Sequence, residues 1–338
     1  MSVELRGVTR RFGDITAVAN VSLTVATGAV VALLGPSGCG KTTTLRIIAG
    51  FETPDAGTVT VGGRVVTGPG VWVPPERRRV GMVFQQLALF PHMNVAGNVG
   101  YGLRGMSRAA RADRVGAMLE LVDLKGYERR RPDQLSGGEA QRVAVARALA
   151  PAPDVVLLDE PFSSLDVSLR VEVREQVVCI LRDAGATAVL VTHDQDEALS
   201  LGDEVVVMLG GAVAQVGAPE AVYRRPSSSA VAEFLGDANL LAGDVAGGRL
   251  ESVLGPLAVE AADGRATALV RPEDLDLVAD VDGAAEVLDV QYFGHDQLVT
   301  LSVGGTTVRA RLHAQRRFSL GTRVRIVVSD DRAVTFAG

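Results

Sequence analysis

The sequence predicts an α/β protein with a parallel β-sheet, followed by a smaller domain built of β-strands. Short continuous apolar runs alternate with helical patterns over the first two thirds of the 338 residues. A glycine-rich loop joins one of these runs to a helix. Beyond about Gly236 the helical periodicity gives way to alternation of apolar and polar residues. We therefore expect two domains, residues 1–235 and 236–338.

The composition is that of an ordinary globular protein, 47% hydrophobic and 22% charged. No apolar run approaches the roughly 18 residues that a membrane span needs, and Met1–Gly13 lacks the apolar stretch of a signal peptide. We expect a cytosolic chain with two free thiols, Cys39 and Cys179, which are too few for a zinc cluster. A net charge of −6 argues against a nucleic-acid partner.

Four continuous apolar runs are typical of strands that are buried on both faces of a parallel sheet. These runs are Val30–Gly35, Val155–Glu160, Ala188–His193 and Glu204–Leu209. Between the second and third runs, apolar residues spaced by three and four from Val173 to Ala184 predict a helix that Gly185 ends. The first domain therefore has an α/β core.

Two Gly-Gly pairs predict β-hairpins. Thr58–Thr67 alternates about the first pair and predicts an antiparallel piece beside the core. Gln297–Leu312 alternates about the second pair and predicts a hairpin of the β domain. The best joint between the two domains is Arg224–Gly236.

The strongest chemical signal is GPSGCGKT, Gly35–Thr42, which follows an apolar strand and precedes a helix. Only Lys41 and Lys125 among the 34 basic residues are lysines, so Lys41 is an exception that needs a reason. Glycines let backbone N–H groups form an anion nest, and the lysine reaches the β and γ phosphates of a nucleotide. A plain glycine-rich turn is the alternative. The predicted phosphate-binding residues are Gly35, Pro36, Ser37, Gly38, Cys39, Gly40, Lys41, Thr42 and Thr43.

A second apolar strand ends in Asp159 and Glu160. Beside a phosphate loop, Asp159 would bind Mg²⁺ together with the Thr42 hydroxyl, while Glu160 would orient and polarise the water that attacks the γ phosphate. An acidic pair at a strand end is otherwise a solvated loop start. These parts predict a nucleotide hydrolase that uses Mg²⁺, but they do not distinguish among phosphate-loop families.

The stretch LSGGEAQR, Leu135–Arg142, fits a capping box in which Ser136 and Glu139 begin a helix. Together with the phosphate loop, the acidic strand and SSLD at Ser163–Asp166, it resembles the ATP-binding cassette (ABC) family. The resemblance covers about Val3 to Gly217 in the family's motif order. It implies a P-loop ATPase core with an antiparallel β subdomain and a helical subdomain at about 87–150.

The resemblance implies roles for four further residues. Phe12 matches the aromatic residue that stacks on adenine, and Gln85 matches the glutamine that contacts Mg²⁺ and the attacking water. His193 matches the histidine that touches the γ phosphate, and Asp166 matches the residue that crosses to the partner's phosphate loop. Each has an ordinary structural explanation when taken alone. Their joint order makes an accident improbable.

In the family, the helix start at Ser136, Gly137 and Gly138 faces the γ phosphate of ATP held by the other subunit. The resemblance therefore implies a head-to-tail homodimer in which each chain carries half of each site. Glu139 departs from the family, where glutamine is common. It would add negative charge near the site.

The rest of the chain points to transport. Gln86–Leu103 lies where the family receives a coupling helix of an integral membrane permease. The tail after Gly210 resembles importer ATPases of the maltose, polyamine and ferric-iron group, which carry a C-terminal transport-associated OB-type (TOBE) domain. This implies a peripheral subunit on the cytoplasmic face of the inner membrane, served indirectly by a periplasmic or lipid-anchored solute-binding protein.

The expectation for the solute comes from the C-terminal domain. Val287–Leu301 is more similar to the ferric-iron and polyamine members than to the sugar members, so we place ferric iron ahead of polyamine or another small cation. His295 and Asp296 there could sense a metal, although such a loop pair is usually only solvated. An exporter ATPase is the nearer rival. A soluble DNA-repair ATPase is the other, although the chain lacks zinc modules and sustained heptads.

Overall fold

The computed structural model describes residues 1–163, 165–329 and 333–337; of Val167 and Ser168 only the backbone is described. Ser164, inside the SSLD motif, lies outside the described residues. The structure divides into two compact units, Met1–Val222 and Tyr223–Gly338. This division falls earlier in the chain than the boundary at 235/236, which stays a prediction. Within the described ranges, no helix is both long enough and apolar enough to span a membrane.

The first unit alternates strands and helices. Its strands are β1 (Val3–Phe12), β2 (Ile15–Val25), β3 (Val30–Leu34), β4 (Ala56–Val61), β5 (Arg64–Gly68), β6 (Val71–Trp72), β7 (Val80–Val83), β8 (Val155–Asp159), β9 (Ala188–Thr192), β10 (Glu204–Leu209) and β11 (Ala212–Gly217). Its helices are α1 (Lys41–Ala49), α2 (Val95–Val99), α3 (Arg108–Leu121), α4 (Gly137–Leu149), α5 (Val167–Asp183) and α6 (Gln195–Leu201), and α7 (Pro219–Arg224) runs across the division.

The central sheet has the order β11-β10-β3-β9-β8-β7. Its neighbours pair in parallel from β10 to β7, and only β11 pairs antiparallel, at the edge. The four predicted strands are confirmed, and every residue of β3, β8 and β9 is buried. Parallel strands place all their carboxyl ends at one edge of the sheet, so the loops that follow β3, β7, β8 and β9 are neighbours.

The second sheet is antiparallel, in the order β2-β1-β4-β5-β6. The predicted hairpin is β4–β5, and Gly62 and Gly63 turn with φ of 55° and 75°, which suits glycine. Helix α1 packs in the core that this sheet shares with the central sheet, where Leu45 and Ile48 contact a cluster that includes Val8 and Leu33. The helix that follows the phosphate loop therefore packs against both sheets.

Helices α2, α3 and α4 lie within the predicted helical subdomain at 87–150. They share a core with α5 and with one face of the central sheet, as shown by Val99, Leu119, Val145, Val177 and Leu158 in one buried cluster. The predicted helix from Val173 to Ala184 is α5, which ends at Asp183.

The second unit is built mainly of strands and contains α8 (Ser229–Phe234). Its strands are β12 (Asn239–Ala246), β13 (Arg249–Ser252), β14 (Gly255–Ala258), β15 (Gly264–Val270), β16 (Leu275–Ala279), β17 (Ala285–Tyr292), β18 (Asp296–Val303), β19 (Thr306–His313), β20 (Arg323–Val328) and β21 (Val334–Ala337). They form two sheets around one core, β14-β13-β12-β15-β21 and β16-β20-β17-β18-β19.

The second predicted hairpin is β18–β19. Val299 pairs with Ala310 and Leu301 with Val308, and all four are buried. The turn at Gly304 and Gly305 has φ of 55° and 84°. The prediction of a separate β domain is confirmed.

Candidate functional site

Four loops at the carboxyl edge of the central sheet carry the predicted catalytic residues. The phosphate loop follows β3, and Glu160 follows β8 directly after Asp159. His193 follows β9, and Gln85 lies two residues after β7. The strand order β3-β9-β8-β7 therefore brings together residues that are more than a hundred positions apart in the sequence.

The phosphate loop needs glycine at two positions because the backbone is crowded there. A Cβ at Gly40 would lie 2.1 Å from the Ala17 carbonyl oxygen, and the φ of Gly40 is 96°. A Cβ at Gly35 would lie 2.4 Å from the Met208 carbonyl oxygen. Both contacts are shorter than any side chain tolerates. Strands β2 and β10 thus hold the loop in the conformation that an anion nest requires.

Lys41 is buried, and its ammonium group donates hydrogen bonds to carbonyl oxygens of its own loop. Its Nζ donates to Gly35 O at 2.7 Å and to Pro36 O at 3.0 Å, and Cys39 Sγ lies 3.8 Å away. Lys41 is also the first residue of α1, whose N-cap, Gly40, supplies no side-chain acceptor. The N–H groups of this helix start and the Lys41 ammonium are donors that suit phosphate oxygens.

Thr42 and Asp159 are joined across the sheet edge, where Thr42 Oγ1 donates to Asp159 Oδ1 at 3.1 Å. Burial raises the pKa of the Asp159 carboxyl, and the Thr42 hydrogen bond opposes part of this rise. A buried carboxylate beside a hydroxyl offers the hard oxygen ligands that Mg²⁺ prefers when it also binds nucleotide phosphates. These two residues fit a magnesium ion.

Glu160 is held in an uncommon backbone conformation, with φ of 43°. Its N–H donates to Val191 O at 3.0 Å, and its carbonyl accepts from Ser163 Oγ at 2.9 Å. Two side chains flank its carboxylate, His193 Nδ1 at 3.1 Å and Gln85 Nε2 at 3.4 Å. A partly exposed carboxylate in this position can act as a general base for water.

A buried network fixes the backbone next to His193. Thr192 Oγ1 donates to Glu197 Oε2 at 2.6 Å and accepts from Asp194 N at 3.0 Å. Asp194 caps α6 by accepting from Glu197 N at 3.1 Å. Burial raises the pKa of the Glu197 carboxyl. Thr192 and Glu197 are not among the predicted site residues, although their position near His193 in VTHDQDEA pointed to them.

The predicted capping box at the start of α4 is confirmed. Ser136 N donates to Glu139 Oε2 at 2.7 Å, and Glu139 N donates to Ser136 Oγ at 3.3 Å. The Ser136 N–H and the Tyr127 hydroxyl lower the pKa of the Glu139 carboxyl. The negative charge expected from Glu139 is therefore used in capping its own helix, with Arg130 4.0 Å away.

The residues predicted to face a second chain form a polar surface. Ser136 and Gly137 are exposed, whereas Gly138 is buried against α5. A Cβ added at Gly138 would lie 2.8 Å from Val173 Cγ2. Asp166 is exposed and caps α5 by accepting from Leu169 N at 3.0 Å. The hydrogen bonds described for Ser136 and Asp166 are with their own helices. Their roles toward a second chain stay predictions.

Phe12 lies at the end of β1 and keeps 45% of its surface exposed. The Arg10 guanidinium lies over its ring, 4.7 Å from the centroid. The sequence analysis missed Arg10. The sequence did indicate that Arg10 and Phe12 are neighbours, because residues two apart on a strand share one face. The stacking role of Phe12 stays a prediction.

Comparison with known proteins covers both units. Residues 18–163 match the family model described as ABC transporter, and residues 268–336 match the TOBE domain model. The chain is 50% identical over 302 residues to the Fe(3+) ions import ATP-binding protein FbpC 1 of Rhodococcus jostii (strain RHA1), covering 88% of this chain and 86% of that protein.

Two further similarities bear on the range of the family. The chain is 47% identical over 312 residues to the spermidine/putrescine import ATP-binding protein PotA of Rubrobacter xylanophilus (strain DSM 9941), covering 87% of this chain and 81% of that protein. A solved dimeric ATP-binding cassette in a post-hydrolysis state, bound to ADP and Pi, superimposes with a TM-score of 0.55 at 33% identity. The match covers 64% of this chain and 98% of that one.

Proposed function

Because the chain belongs to the ABC transporter family and is an ATPase of that family, we propose that it drives uptake of ferric iron as the motor subunit of a membrane importer. The observation that supports iron is the 50% identity to a ferric-iron import ATP-binding protein, which extends over 88% of the chain. The matched region extends beyond the ATPase core into the C-terminal domain. Polyamine is the second candidate, supported by the 47% identity to a spermidine/putrescine import protein.

ATP binds, in this proposal, with its adenine on Phe12 and its phosphates in the loop Gly35–Thr43. The Lys41 ammonium leaves the carbonyls of Gly35 and Pro36 for the β and γ phosphate oxygens. This exchange is favourable because anionic oxygens are stronger acceptors than neutral carbonyls. The N–H groups at the start of α1 add donors that no side chain caps.

Hydrolysis is assigned to the cluster around Glu160. The Glu160 carboxylate takes a proton from water as the water oxygen attacks the γ phosphorus, and the bond to the bridging oxygen of ADP breaks. Gln85 orients the same water, and His193 donates a hydrogen bond toward the γ phosphate. Thr42, Asp159 and Gln85 would hold Mg²⁺, which neutralises charge on the phosphate oxygens. The products are ADP and phosphate.

Dimerisation completes each site in this proposal. Ser136, Gly137 and Gly138 of one chain approach the γ phosphate held by the other, and Asp166 reaches the partner's phosphate loop. The exposure of Ser136, Gly137 and Asp166 supports the shared site, because residues used at an interface must be accessible in the single chain. The solved cassette to which the chain is similar is also dimeric.

The proposed partners are integral membrane permease subunits that contact the helical subdomain through the segment Gln86–Leu103. Phe90 and Tyr101 stack there with ring centroids 4.4 Å apart, and Tyr101 is 45% exposed. A partly exposed aromatic pair is suited to receive a short helix of another protein. The chain would then sit peripherally at the cytoplasmic face of the inner membrane, supplied by a solute-binding protein.

Reconstitution in vesicles with the cognate permease tests the proposal. ATP hydrolysis should rise severalfold when a ferric-loaded solute-binding protein is added, and labelled iron should accumulate with ATP. Stimulation by spermidine-loaded binding protein alone would replace iron by polyamine as the solute. ATP-driven release of solute would indicate an exporter, and stimulation by DNA without vesicles would indicate a DNA-repair ATPase. Either of these last two results would overturn the importer assignment.

A further inference from the structure

We infer that Arg10 is a positioning residue for nucleotide-base recognition: its guanidinium covers one face of the Phe12 ring and leaves the other face for the adenine of ATP. The inference rests on the proposed stacking role of Phe12. Its starting observation is the 4.7 Å distance from Arg10 Cζ to the ring centroid. Phe12 still has 45% of its surface exposed, so the ring remains accessible to a ligand.

Two carboxylates fix the guanidinium in this place. Arg10 Nη2 lies 2.7 Å from Glu52 Oε1, and Arg10 Nη1 lies 2.8 Å from Asp55 Oδ1. The other oxygen of Asp55 accepts from Arg11 N at 2.7 Å. A planar guanidinium held at both terminal nitrogens has little rotational freedom, so it forms a rigid backing for the ring.

The Nε atom of Arg10 supplies an independent indication. It is buried and has no hydrogen-bond partner among the described residues. A buried N–H without an acceptor is costly unless another favourable contact offsets the cost. The negative face of an aromatic ring is such a contact. The contact between the guanidinium and the Phe12 ring is the favourable contact that would offset this cost.

The same network connects the ring to the phosphate loop. Glu52 and Asp55 belong to the segment that follows α1, where Glu52 N donates to Arg46 O at 3.2 Å and Asp55 N donates to Thr9 O at 2.8 Å. The helix that begins at the phosphate loop is therefore tied at its far end to strand β1, which carries the ring. Arg10 sits where these two parts meet, so it can set the position of the base relative to the phosphates.

The consequence for binding is specific to the base. A cation on one face of a ring draws electron density from the other face and strengthens stacking on it. Removing the cation should also free the ring to rotate. Both effects act on adenine and neither acts on the phosphates. Arg10 should therefore contribute to the affinity for ADP and contribute nothing to the affinity for a ligand that lacks a base.

The test compares ADP with inorganic tripolyphosphate, a probe that has phosphates and no base. Equilibrium dissociation constants are measured by calorimetry on the full chain. Arg10→Met should weaken ADP about two- to five-fold, the range that corresponds to a partly exposed cation–π contact. It should leave tripolyphosphate binding unchanged. Arg10→Lys should recover part of the loss, because it restores a cation without the planar fork.

Two comparisons complete the test. Arg6→Met is the matched control, since Arg6 lies on the same strand, pairs with Glu4 at 2.8 Å and has a side chain that is 73% exposed; ADP binding should not change. In the Phe12→Ala background, Arg10→Met should cause no further loss. Unchanged ADP affinity in Arg10→Met, equal weakening of tripolyphosphate, or full additivity with Phe12→Ala would overturn the inference. Unchanged ADP affinity in Phe12→Ala itself would instead overturn the stacking role of Phe12.

Discussion

His193 Nδ1 lies 3.1 Å from Glu160 Oε1, across the carboxyl ends of the neighbouring strands β9 and β8. On the other side of Glu160, Gln85 Nε2 lies 3.4 Å from Oε2. A carboxylate between two polar side chains is positioned to take a proton from a water that both of them can orient. This relationship determines which variants should stop hydrolysis and which should leave nucleotide binding intact.

Glu160→Gln should slow ATP turnover by about 10²–10⁴-fold, because the water loses its base. Affinity for ATP should remain within about twofold of the wild type, since Lys41, Thr42 and Asp159 do not change. The variant should accumulate as an ATP-bound dimer, visible by gel filtration with MgATP. A monomer that turns over ATP at the wild-type rate would refute the assignment of Glu160.

Ser136→Arg should block dimer closure while the same chain still binds ATP, because Ser136 serves the partner's site. Mixing it with Lys41→Ala should restore hydrolysis, since one of the two composite sites in the mixed dimer then carries neither change. Each parent alone should be nearly inactive. Hydrolysis is measured as a function of the mixing ratio.

The control for this experiment places both changes in one chain and mixes that chain with wild type. Every composite site in the mixed dimer then carries one change, so those dimers should stay inactive. Hydrolysis in the control mixture above the level of residual wild-type dimers would contradict the shared site, as would inactivity of the first mixture.

Glu197→Gln should stabilise the protein at high pH more than at low pH. Glu197 is 4% exposed and burial raises its carboxyl pKa above the usual 4.5. A raised carboxyl pKa stabilises the fold below the unfolded pKa, and this contribution is lost as pH rises through the folded pKa. Glutamine keeps an acceptor for Thr192 Oγ1 and does not ionise. The free energy of unfolding of the variant should therefore exceed that of the wild type by more at pH 8 than at pH 5.

Glu120→Gln is the control for the pH experiment, because the Glu120 side chain is 68% exposed in its pair with Lys125. Its free energy of unfolding should follow the wild type across the same pH range, within about 0.5 kcal/mol. A wild-type pH profile in Glu197→Gln would show that the buried carboxyl does not destabilise the fold when ionised.

Arg78→Ala should lower the free energy of unfolding by about 2–4 kcal/mol, because it leaves buried acceptors without a donor. Arg78 is 2% exposed and donates to Val73 O at 2.7 Å, Ile47 O at 2.8 Å and Thr67 Oγ1 at 2.8 Å. Burial lowers the pKa of its guanidinium to about 10, so it stays charged at neutral pH.

The neighbouring Arg79 gives the comparison for Arg78. Its side chain is 67% exposed and pairs with Asp154 at 3.2 Å, so Arg79→Ala should cost less than about 1 kcal/mol. Urea denaturation of both variants checks the difference. Equal losses would mean that the buried hydrogen bonds of Arg78 are not what stabilises this region.

Truncation should follow the division after Val222 more closely than the predicted boundary at 235/236. Arg271 donates to Tyr223 O at 3.1 Å, Ala232 O at 3.0 Å and Asp237 O at 3.1 Å, which ties the segment 223–237 to the β domain. A chain ending at Arg224 should fold and hydrolyse ATP at saturating protein. A chain ending at Gly236 should also hydrolyse ATP. It should bind more of a dye for exposed apolar surface, because removal of the β domain exposes the buried side chains of α8. Equal dye binding by both chains would favour the later boundary.

The local patterns of the sequence were sufficient to predict the four buried strands, both Gly-Gly hairpins, the phosphate loop and the capping box of Ser136 and Glu139. Each of these depends on residues close together in the chain. A glycine pair determines its own turn, and a serine with a glutamate three residues later satisfies the same helix end. The ABC family was evident for the same reason, since its motifs are short and occur in a fixed order.

Only the tertiary structure decided how the pieces meet. The pairing order of the parallel strands places Gln85 and His193 on either side of Glu160, and no local pattern specifies that order. The crowding of Gly40 by Ala17 and the burial of Arg78 likewise join segments that are separate in the chain. Such contacts are set by the free energy of the whole core, in which many distant residues compete for the same buried space. For that reason the sequence determined which chemistry this protein carries, and the fold determined the geometry in which it is carried out.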